Sequence, residues 1–483
     1  MSDLNSKVVT ATKWSSITEL AAKIVHPIST IILARLLTPE AFGILTTATM
    51  VISFAEIFTD AGFQKYLIQK QFKSQQQLYD YTNVAFWSNL ILSITIWLII
   101  ILFCQSIAAT VGNPGRGDVI AVSCICIPLA AFSSIQMALF KKELDFKTLF
   151  WVRIVGVCIP LIVTIPLALY THSYWSLIIG MIALNFSNAI ILTWHSVWKP
   201  KFFYKIDIFK DMFSFSSWSM IEAISIWLTM YVDIFIVGVM LNQHFLGVYK
   251  TSMSTVGQIT SLITSATTPV LFSSLSRLQN NRSDFEEMFY KFQKMICYLL
   301  FPLGFGIYLF RDLVVDLLLG SQWREAVNFV GWWGVSSAFT ISLSHYCSEV
   351  YRAKGRPKLS VLAQVLHIIF LIPLIYWASK SSFSFLCLSR AAARFQIIIV
   401  NFIILYFGIH MSPMRMVKNT FWPVVGSLSF CLVYCFMPPT ESIVIKMVYA
   451  IICIITYFVV LSFHQESRLV FFSINRSFLS KKH

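Results

Sequence analysis

Charged residues are scarce in this sequence, making up only 12% of its 483 residues. A soluble domain carries about 25% charged side chains, so too little polar surface is available to cover a water-soluble protein. Hydrophobic residues account for 57% of the chain and include 42 Phe and 14 Trp, which also excludes a disordered protein. The composition therefore indicates a polytopic membrane protein.

Motifs of catalysis and cofactor binding are also absent. The sequence contains no HExxH, GxSxG, P-loop or DxD pattern, so we expect no catalytic residues, no cofactor, no metal and no enzyme activity. The ten cysteines fall in apolar runs and none stands at a metal-binding spacing with His. Such cysteines are typical of small buried apolar residues.

Long apolar runs dominate what remains. A helix needs about 20 mostly apolar residues to cross a bilayer, and fourteen runs qualify, at residues 14–35, 41–60, 82–104, 118–138, 148–169, 174–194, 212–237, 244–271, 292–310, 326–349, 359–378, 383–407, 419–436 and 441–463. Backbone groups inside lipid must find hydrogen bonds within the segment, and these runs lack the alternation of barrel strands. The sequence predicts an all-α polytopic membrane protein with about 14 transmembrane helices.

Basic residues are distributed unevenly across these spans. Segments on the side of the N-terminus contain 26 Lys and Arg, whereas segments on the opposite side contain four. Because Lys and Arg concentrate in cytoplasmic loops, both termini are predicted to be cytoplasmic. The net charge of +15 is then explained by topology and by contact with the lipid bilayer. No soluble basic module remains that would bind nucleic acid.

The sequence contains an internal repeat. A shift of 204 residues aligns 14–51 with 218–255 and gives seven identities in 38 positions. Each copy covers a span, a short outer turn and a second span, and the even number of spans between the copies makes them parallel. We predict two parallel six-helix lobes at 1–205 and 206–410, then a two-helix extension and basic tail at 411–483. Such lobes suit alternating access around a central cavity.

Two groups of ionisable residues lie deep in the predicted spans, where each charge costs about 2.5–3.5 kcal/mol on insertion scales. Arg390 and Arg394 stand one turn apart on one face of a helix that contains no acid. Two such cations require an anionic partner, either a carboxylate on another helix or a substrate phosphate. Glu19 and Lys23 form an i, i+4 pair, so part of their cost is offset locally.

A third group lies on the two spans of the second repeat copy. Asp233 and Lys250 are predicted at similar depth on adjacent antiparallel helices, and Glu222 lies further along the first of them. A structural ion pair and a functional site both remain open for Asp233 and Lys250. Arg35 ends the first span, where an interfacial anchor is an alternative to a functional role.

Several segments together resemble the bacterial polysaccharide-repeat-unit flippases of the O-antigen and colanic-acid exporter type. That family belongs to the multidrug/oligosaccharidyl-lipid/polysaccharide exporter superfamily. The similarity covers ARLLTPEAFG at 34–43 and DAGF at 60–63, then DIFIVG at 233–238, LGVY at 246–249, PVLFSSLSRLQ at 269–279 and RAKGRPK at 352–358. Each motif is loose, but their order and spacing are specific.

The resemblance implies export of an undecaprenyl-pyrophosphate-linked oligosaccharide from the inner to the outer leaflet of the bacterial plasma membrane. Because a pyrophosphate and several sugars do not cross hydrocarbon unaided, a cationic cavity must shield them. Our candidates for binding the anion are Arg390, Arg394, Lys23 and Lys250, with Arg35 at the outer gate.

The implied transport needs a source of energy and works beside other proteins. Glu222, Asp233 and Glu19 are candidates for coupling transport to H⁺ or Na⁺. A polysaccharide polymerase complex is a further candidate partner.

Two alternatives remain at this point. A multidrug cation antiporter of the same superfamily would share the two lobes, although it would not need the last two helices or the two arginines of the twelfth span. A membrane polymerase or glycosyltransferase acting on the same lipid would also be polytopic. Such enzymes usually carry a large extracytoplasmic loop, and the longest predicted outer loop spans only about residues 311–325.

Overall fold

In this computed structural model the regular elements of the described residues are all helical. The structure describes residues 14, 22–23, 25–60, 62–438, 440 and 442–463, with the backbone alone at residues 60, 214–219 and 221–222. The α-helices are α1 (Val25–Leu36), α2 (Pro39–Asp60), α3 (Phe63–Gln69), α4 (Gln75–Leu102), α5 (Cys104–Thr110), α6 (Gly117–Ser123), α7 (Cys126–Lys142), α8 (Phe146–Ile159), α9 (Ile165–Thr171), α10 (Trp175–His195), α11 (Ile206–Met240), α12 (Gln243–Arg277), α13 (Arg282–Leu309), α14 (Arg311–Leu318), α15 (Ala326–Thr340), α16 (Cys347–Ala353), α17 (Lys358–Ser379), α18 (Phe383–Ile404), α19 (Pro413–Cys435) and α20 (Ile443–Ser462). Short π-helical segments follow three of them, at Pro160–Thr164, Ile341–His345 and Leu405–Ile409.

Eleven helical segments in the described part of the chain are long and apolar enough to cross a membrane. Each coincides with one predicted span, which confirms an all-helical, multi-pass membrane protein. Of the remaining predicted spans, 244–271 lies within α12, and 326–349 covers α15, the π segment after it and the start of α16. The span at 14–35 lies partly outside the described residues, and its second half is α1. The total of 14 transmembrane helices stays a prediction.

Local sequence signals set where several helices begin. The Ser74 side chain accepts a hydrogen bond from the backbone N–H of Gln77 at 3.1 Å, and Ser382 accepts one from Phe385 at 3.2 Å. These serines cap α4 and α18 by satisfying N–H groups that have no partner within the helix. Pro413 opens α19, where its missing N–H costs nothing.

The described residues group into two compact units, which fall within Met1–Val248 and Tyr249–His483. One core of the first unit is built by α3, α4 and α7 around Phe63, Phe86 and Ile135. The main core of the second unit is larger and is built around Phe301 and Tyr351. The lobe boundaries at 205 and 410 stay a prediction.

Large apolar side chains remain exposed on the outer faces of the spanning helices. Ile162 is 69% exposed, Ile369 on α17 is 63% exposed and Ile451 on α20 is 57% exposed. Continuous apolar exposure of this extent would be unstable in water and is expected where a helix faces lipid. Functional side chains are therefore expected on the helix faces that do not meet lipid.

Candidate functional site

The predicted arginine pair lies in the second unit, against a single tryptophan. Arg390 and Arg394 are one turn apart on α18, and their guanidinium carbons lie 5.0 Å and 4.1 Å from the centre of the Trp333 ring. Arg394 Nη1 also donates a hydrogen bond of 2.5 Å to Ser337 Oγ. Trp333 and Ser337 are themselves one turn apart on α15. The four side chains therefore form one layer between the two helices, which we call the arginine–tryptophan site.

The packing of α15 against α18 has a constant register. Trp333 faces Arg390, and Ser337 faces Arg394, each pair being 57 positions apart. Two turns beyond Arg394, Asn401 Nδ2 donates to Ser344 Oγ at 2.8 Å, again with 57 positions between the partners. A constant offset means that the two helices run parallel, as expected when one span lies between them.

A polar stripe therefore follows one face of α18. Asn401 Oδ1 also accepts a hydrogen bond of 2.9 Å from the hydroxyl of Tyr351. The Asn401 end of the stripe is satisfied by protein groups, as buried amides require. At the other end of the stripe, Arg390 and Arg394 place two positive charges close together.

The arginine–tryptophan site concentrates positive charge between two helices. Arg390 is 8% exposed and Arg394 is half-buried. In the part of the chain that the structure describes, no carboxylate forms an ion pair with Arg394. The Trp333 ring offers both guanidiniums its negative face, which compensates a cation only partly. Two adjacent guanidiniums present several N–H donors in the planar geometry that binds phosphate.

A second charged group, which we call the Lys70 cluster, lies in the first unit. Lys70 Nζ lies 2.5 Å from Asp211 Oδ2, and the hydroxyls of Tyr66 and Tyr81 donate to the same oxygen at 2.7 Å and 2.8 Å. The Lys70 ammonium and these hydroxyls hold the Asp211 carboxyl pKa well down, at about 2. Burial raises the pKa of Tyr66 to about 12. The Lys70 ammonium is thus paired with the Asp211 carboxylate, and the cluster links α3, α4 and α11.

The predicted pair of Glu19 and Lys23 is described only in part. Lys23 is half-buried, and Glu19 lies outside the described residues. Arg35 is exposed near the end of α1. The roles of these three residues stay predictions.

The third predicted group is divided between the two units. Asp233 on α11 is only 2% exposed and accepts a 2.9 Å hydrogen bond from the backbone N–H of Ile234. Lys250 on α12 is half-buried in the second unit, so its pairing with Asp233 stays a prediction. The side chain of Glu222 lies outside the described residues.

Sequence reasoning found the two arginines but missed Trp333 and Ser337. The arginines were visible because charge inside an apolar span is costly. Trp333 lies in the run GWWGVSS at 331–337, where an aromatic residue is unremarkable. The repeated i, i+4 spacing on both helices was the available signal, but only the packing shows that they face each other.

Comparison with known proteins gives one consistent family. Residues 32–328 match the family described as "Polysaccharide biosynthesis protein". An uncharacterized membrane protein in the cps region of Klebsiella pneumoniae is 23% identical over 78% of this chain and 77% of its own. The teichuronic acid biosynthesis protein TuaB of Bacillus subtilis is 22% identical over 74% of each chain.

A solved structure shares the fold. The lipid II flippase MurJ in an inward closed conformation superposes with a TM-score of 0.73 at 13% identity, over 94% of this chain and 99% of that one. At this identity the likeness concerns the fold alone. The family match confirms the resemblance that the sequence motifs indicated.

Proposed function

Because the chain belongs to the polysaccharide biosynthesis protein family, we propose that it is a flippase for lipid-linked oligosaccharides. It moves undecaprenyl-pyrophosphate-linked repeat units from the inner to the outer leaflet of the bacterial plasma membrane, for synthesis of surface polysaccharide. The names of its relatives support this role, since one is a membrane protein in a cps region and the other a teichuronic acid biosynthesis protein. The fold supports it too, because a lipid II flippase shares it.

The arginine–tryptophan site is the observation that carries the proposal. A pyrophosphate bears negative charges that hydrocarbon excludes, so a carrier must supply cations where the head group crosses. Arg390 and Arg394 supply two, in a helix without acids and against one aromatic ring. The guanidiniums bind the phosphate oxygens of the substrate in fork geometry, while the polyprenyl tail stays in lipid.

The other predicted residues act around this site in the proposal. Lys23 and Lys250 add positive charge along the path, and Arg35 acts at its outer end. Asp233, a nearly buried carboxylate, is the described candidate for coupling to H⁺ or Na⁺. Glu222 and Glu19 are further candidates from the sequence.

The direction of transport follows from the predicted topology. With both termini cytoplasmic, the loops rich in Lys and Arg face the leaflet where repeat units are made. Alternating access then exposes the site to each side in turn. A polymerase complex on the outer side would receive the product.

Deleting the gene tests this function. We expect complete repeat units to accumulate on the inner leaflet and surface polymer to disappear, with both defects reversed by the wild-type gene. Single unpolymerised repeat units at the surface would instead indicate a polymerase. Unchanged polymer with new sensitivity to cationic drugs would indicate a multidrug antiporter.

A further inference from the structure

Two glycines bring the first turns of α2 and α12 into backbone contact. A Cβ atom added to Gly43 would lie 1.9 Å from the carbonyl oxygen of Gln243, and one added to Gly247 would lie 1.8 Å from the carbonyl oxygen of Pro39. Both distances are far below any tolerated contact, so only glycine permits this approach. We call these four residues the glycine contact, and all of them lie in the first compact unit.

The glycine contact relates the two copies of the internal repeat. The shift of 204 residues that aligns the copies places Pro39 on Gln243 and Gly43 on Gly247. Each glycine therefore meets the carbonyl that opens the helix of the other copy. Such reciprocal contact is the arrangement expected of two like surfaces around a two-fold axis. An accidental approach of two helices would not be reciprocal under the shift that aligns the repeat copies. The reciprocity therefore indicates a specific interface between them.

One side chain joins this contact to its surroundings. Gln243 Nε2 donates a 2.5 Å hydrogen bond to the carbonyl oxygen of Gly112, and Gln243 Oε1 lies 3.1 Å from the hydroxyl of Thr47. Thr47 is fully buried. Separating the glycine contact breaks these hydrogen bonds of Gln243.

The glycine contact joins two of the turns that are predicted to lie on the outer side, and Gly112 lies in a third such turn. We propose that the glycine contact is the outer gate of the carrier, closed in this structure and opened when the substrate leaves. This inference rests on the proposed function and on the predicted orientation. Glycines let the two helices close without a gap, and opening requires the hydrogen bonds of Gln243 to break. The hydrogen bonds of the Gln243 side chain hold the gate closed.

Cysteine accessibility tests the gate in intact cells. Met50 lies two turns inward from Gly43 on α2 and is 1% exposed, so Met50→Cys reports on opening of the gate. A membrane-impermeant thiol reagent is added from outside, and the parent protein with its ten native cysteines sets the background. Pro114, which is exposed in the turn before α6, provides the outer reference as Pro114→Cys.

Gly43→Ala and Gly247→Ala force the closed helices apart. When either is combined with Met50→Cys, labelling at position 50 is expected to rise about tenfold, the change produced by a shift of one decade in the open-to-closed ratio. Gly257→Ala on the same helix as Gly247 is the matched control, because no atom lies within 4 Å of its added Cβ. Gln243→Ala adds no atoms, so it tests the role of the Gln243 hydrogen bonds even where the glycine variants fold poorly. It should raise labelling at position 50 several-fold.

The outcomes separate the gate from the function. Unchanged labelling at position 50 in Gln243→Ala and in folded glycine variants, with Pro114→Cys labelled from outside, would overturn the gate. Labelling of Pro114→Cys only from the cytoplasmic side would overturn the orientation and the outer gate with it. Increased labelling in a strain that still exports polymer normally without this gene would uphold the gate and refute the flippase.

Discussion

Two charged groups in this protein differ in the signs of the charges that they bring together. In the Lys70 cluster, one ammonium is matched by one carboxylate and two phenols at the end of the spans. In the arginine–tryptophan site, two guanidiniums within a spanning helix share one aromatic ring. A matched pair stabilises the fold and has little affinity left for a ligand. Two like charges side by side repel each other, and in the proposed function the anionic head group of the substrate relieves that repulsion.

The largest predicted effect is at the arginine–tryptophan site. Arg390→Ala or Arg394→Ala should reduce export by about two orders of magnitude or more, because losing one partner of a desolvated charge pair costs about 2–5 kcal/mol. Surface polymer in a complemented deletion strain is the measurement, with protein level checked in the membrane. Arg153→Ala is the control, since Arg153 is an exposed cation on α8. Full export by both arginine variants would assign the pair to helix packing.

A smaller loss is predicted when the aromatic support is removed. Trp333→Ala should lower export about 30-fold, since cation–π contacts with desolvated guanidiniums are worth about 2 kcal/mol. Trp333→Phe retains a ring and should recover most of the activity. The half-saturating concentration of lipid-linked substrate should rise more than the maximal rate falls. An equal loss in both variants would show that Trp333 only fills space.

The Lys70 cluster should affect stability without affecting the substrate. Asp211→Asn and Lys70→Met are expected to cost about 1 kcal/mol or less, as for other partly exposed pairs. The Asp211 pKa of about 2 is below its unfolded value of about 3.9. The stabilisation is therefore complete above pH 4 and is lost as the pH falls towards 2.

Thermal unfolding in detergent at pH 6 and pH 3 checks the Lys70 prediction. The wild type should lose part of its advantage over Asp211→Asn at the lower pH, and both should transport normally at neutral pH. An export defect in a stable Lys70→Met variant would remove the contrast between the two groups.

The smallest effect is predicted at an ion pair within one helix whose arginine is strongly exposed. Arg282 Nε lies 2.9 Å from Glu286 Oε1 in an i, i+4 arrangement on α13, and the Arg282 side chain is 69% exposed. Glu286→Gln should change the unfolding free energy by about 0.5 kcal/mol or less and leave export unaltered. Denaturant melts of the purified protein measure this. A loss of unfolding free energy similar to that of Asp211→Asn would show that the two ion pairs contribute equally to stability.

Much of the fold was predictable because lipid imposes strict rules on sequence. A run of about 20 apolar residues must be a helix in a membrane, and eleven predicted spans coincide with helices of suitable length and apolarity. The run at 244–271 is helical too, although the Thr and Ser residues of α12 make it less apolar. Arg390 and Arg394 were predictable because charge in such a run is exceptional.

Partners across helices were not predictable. Trp333 stands 57 positions from Arg390, and no local pattern says which face of α15 meets α18. The internal repeat contains more than similarity. The shift of 204 residues pairs Gly43 with Gly247, and in the structure these two residues meet through their backbones.

Reconstitution of the purified protein tests the central claim most directly. A polyprenyl-pyrophosphate-linked oligosaccharide is placed in one leaflet of a vesicle, and its sugars become accessible to an external glycosidase only when they reach the other leaflet. We predict movement with the wild-type protein and none with the double variant Arg390→Ala/Arg394→Ala. Equal movement with wild type, double variant and protein-free vesicles would contradict the flippase and its site together.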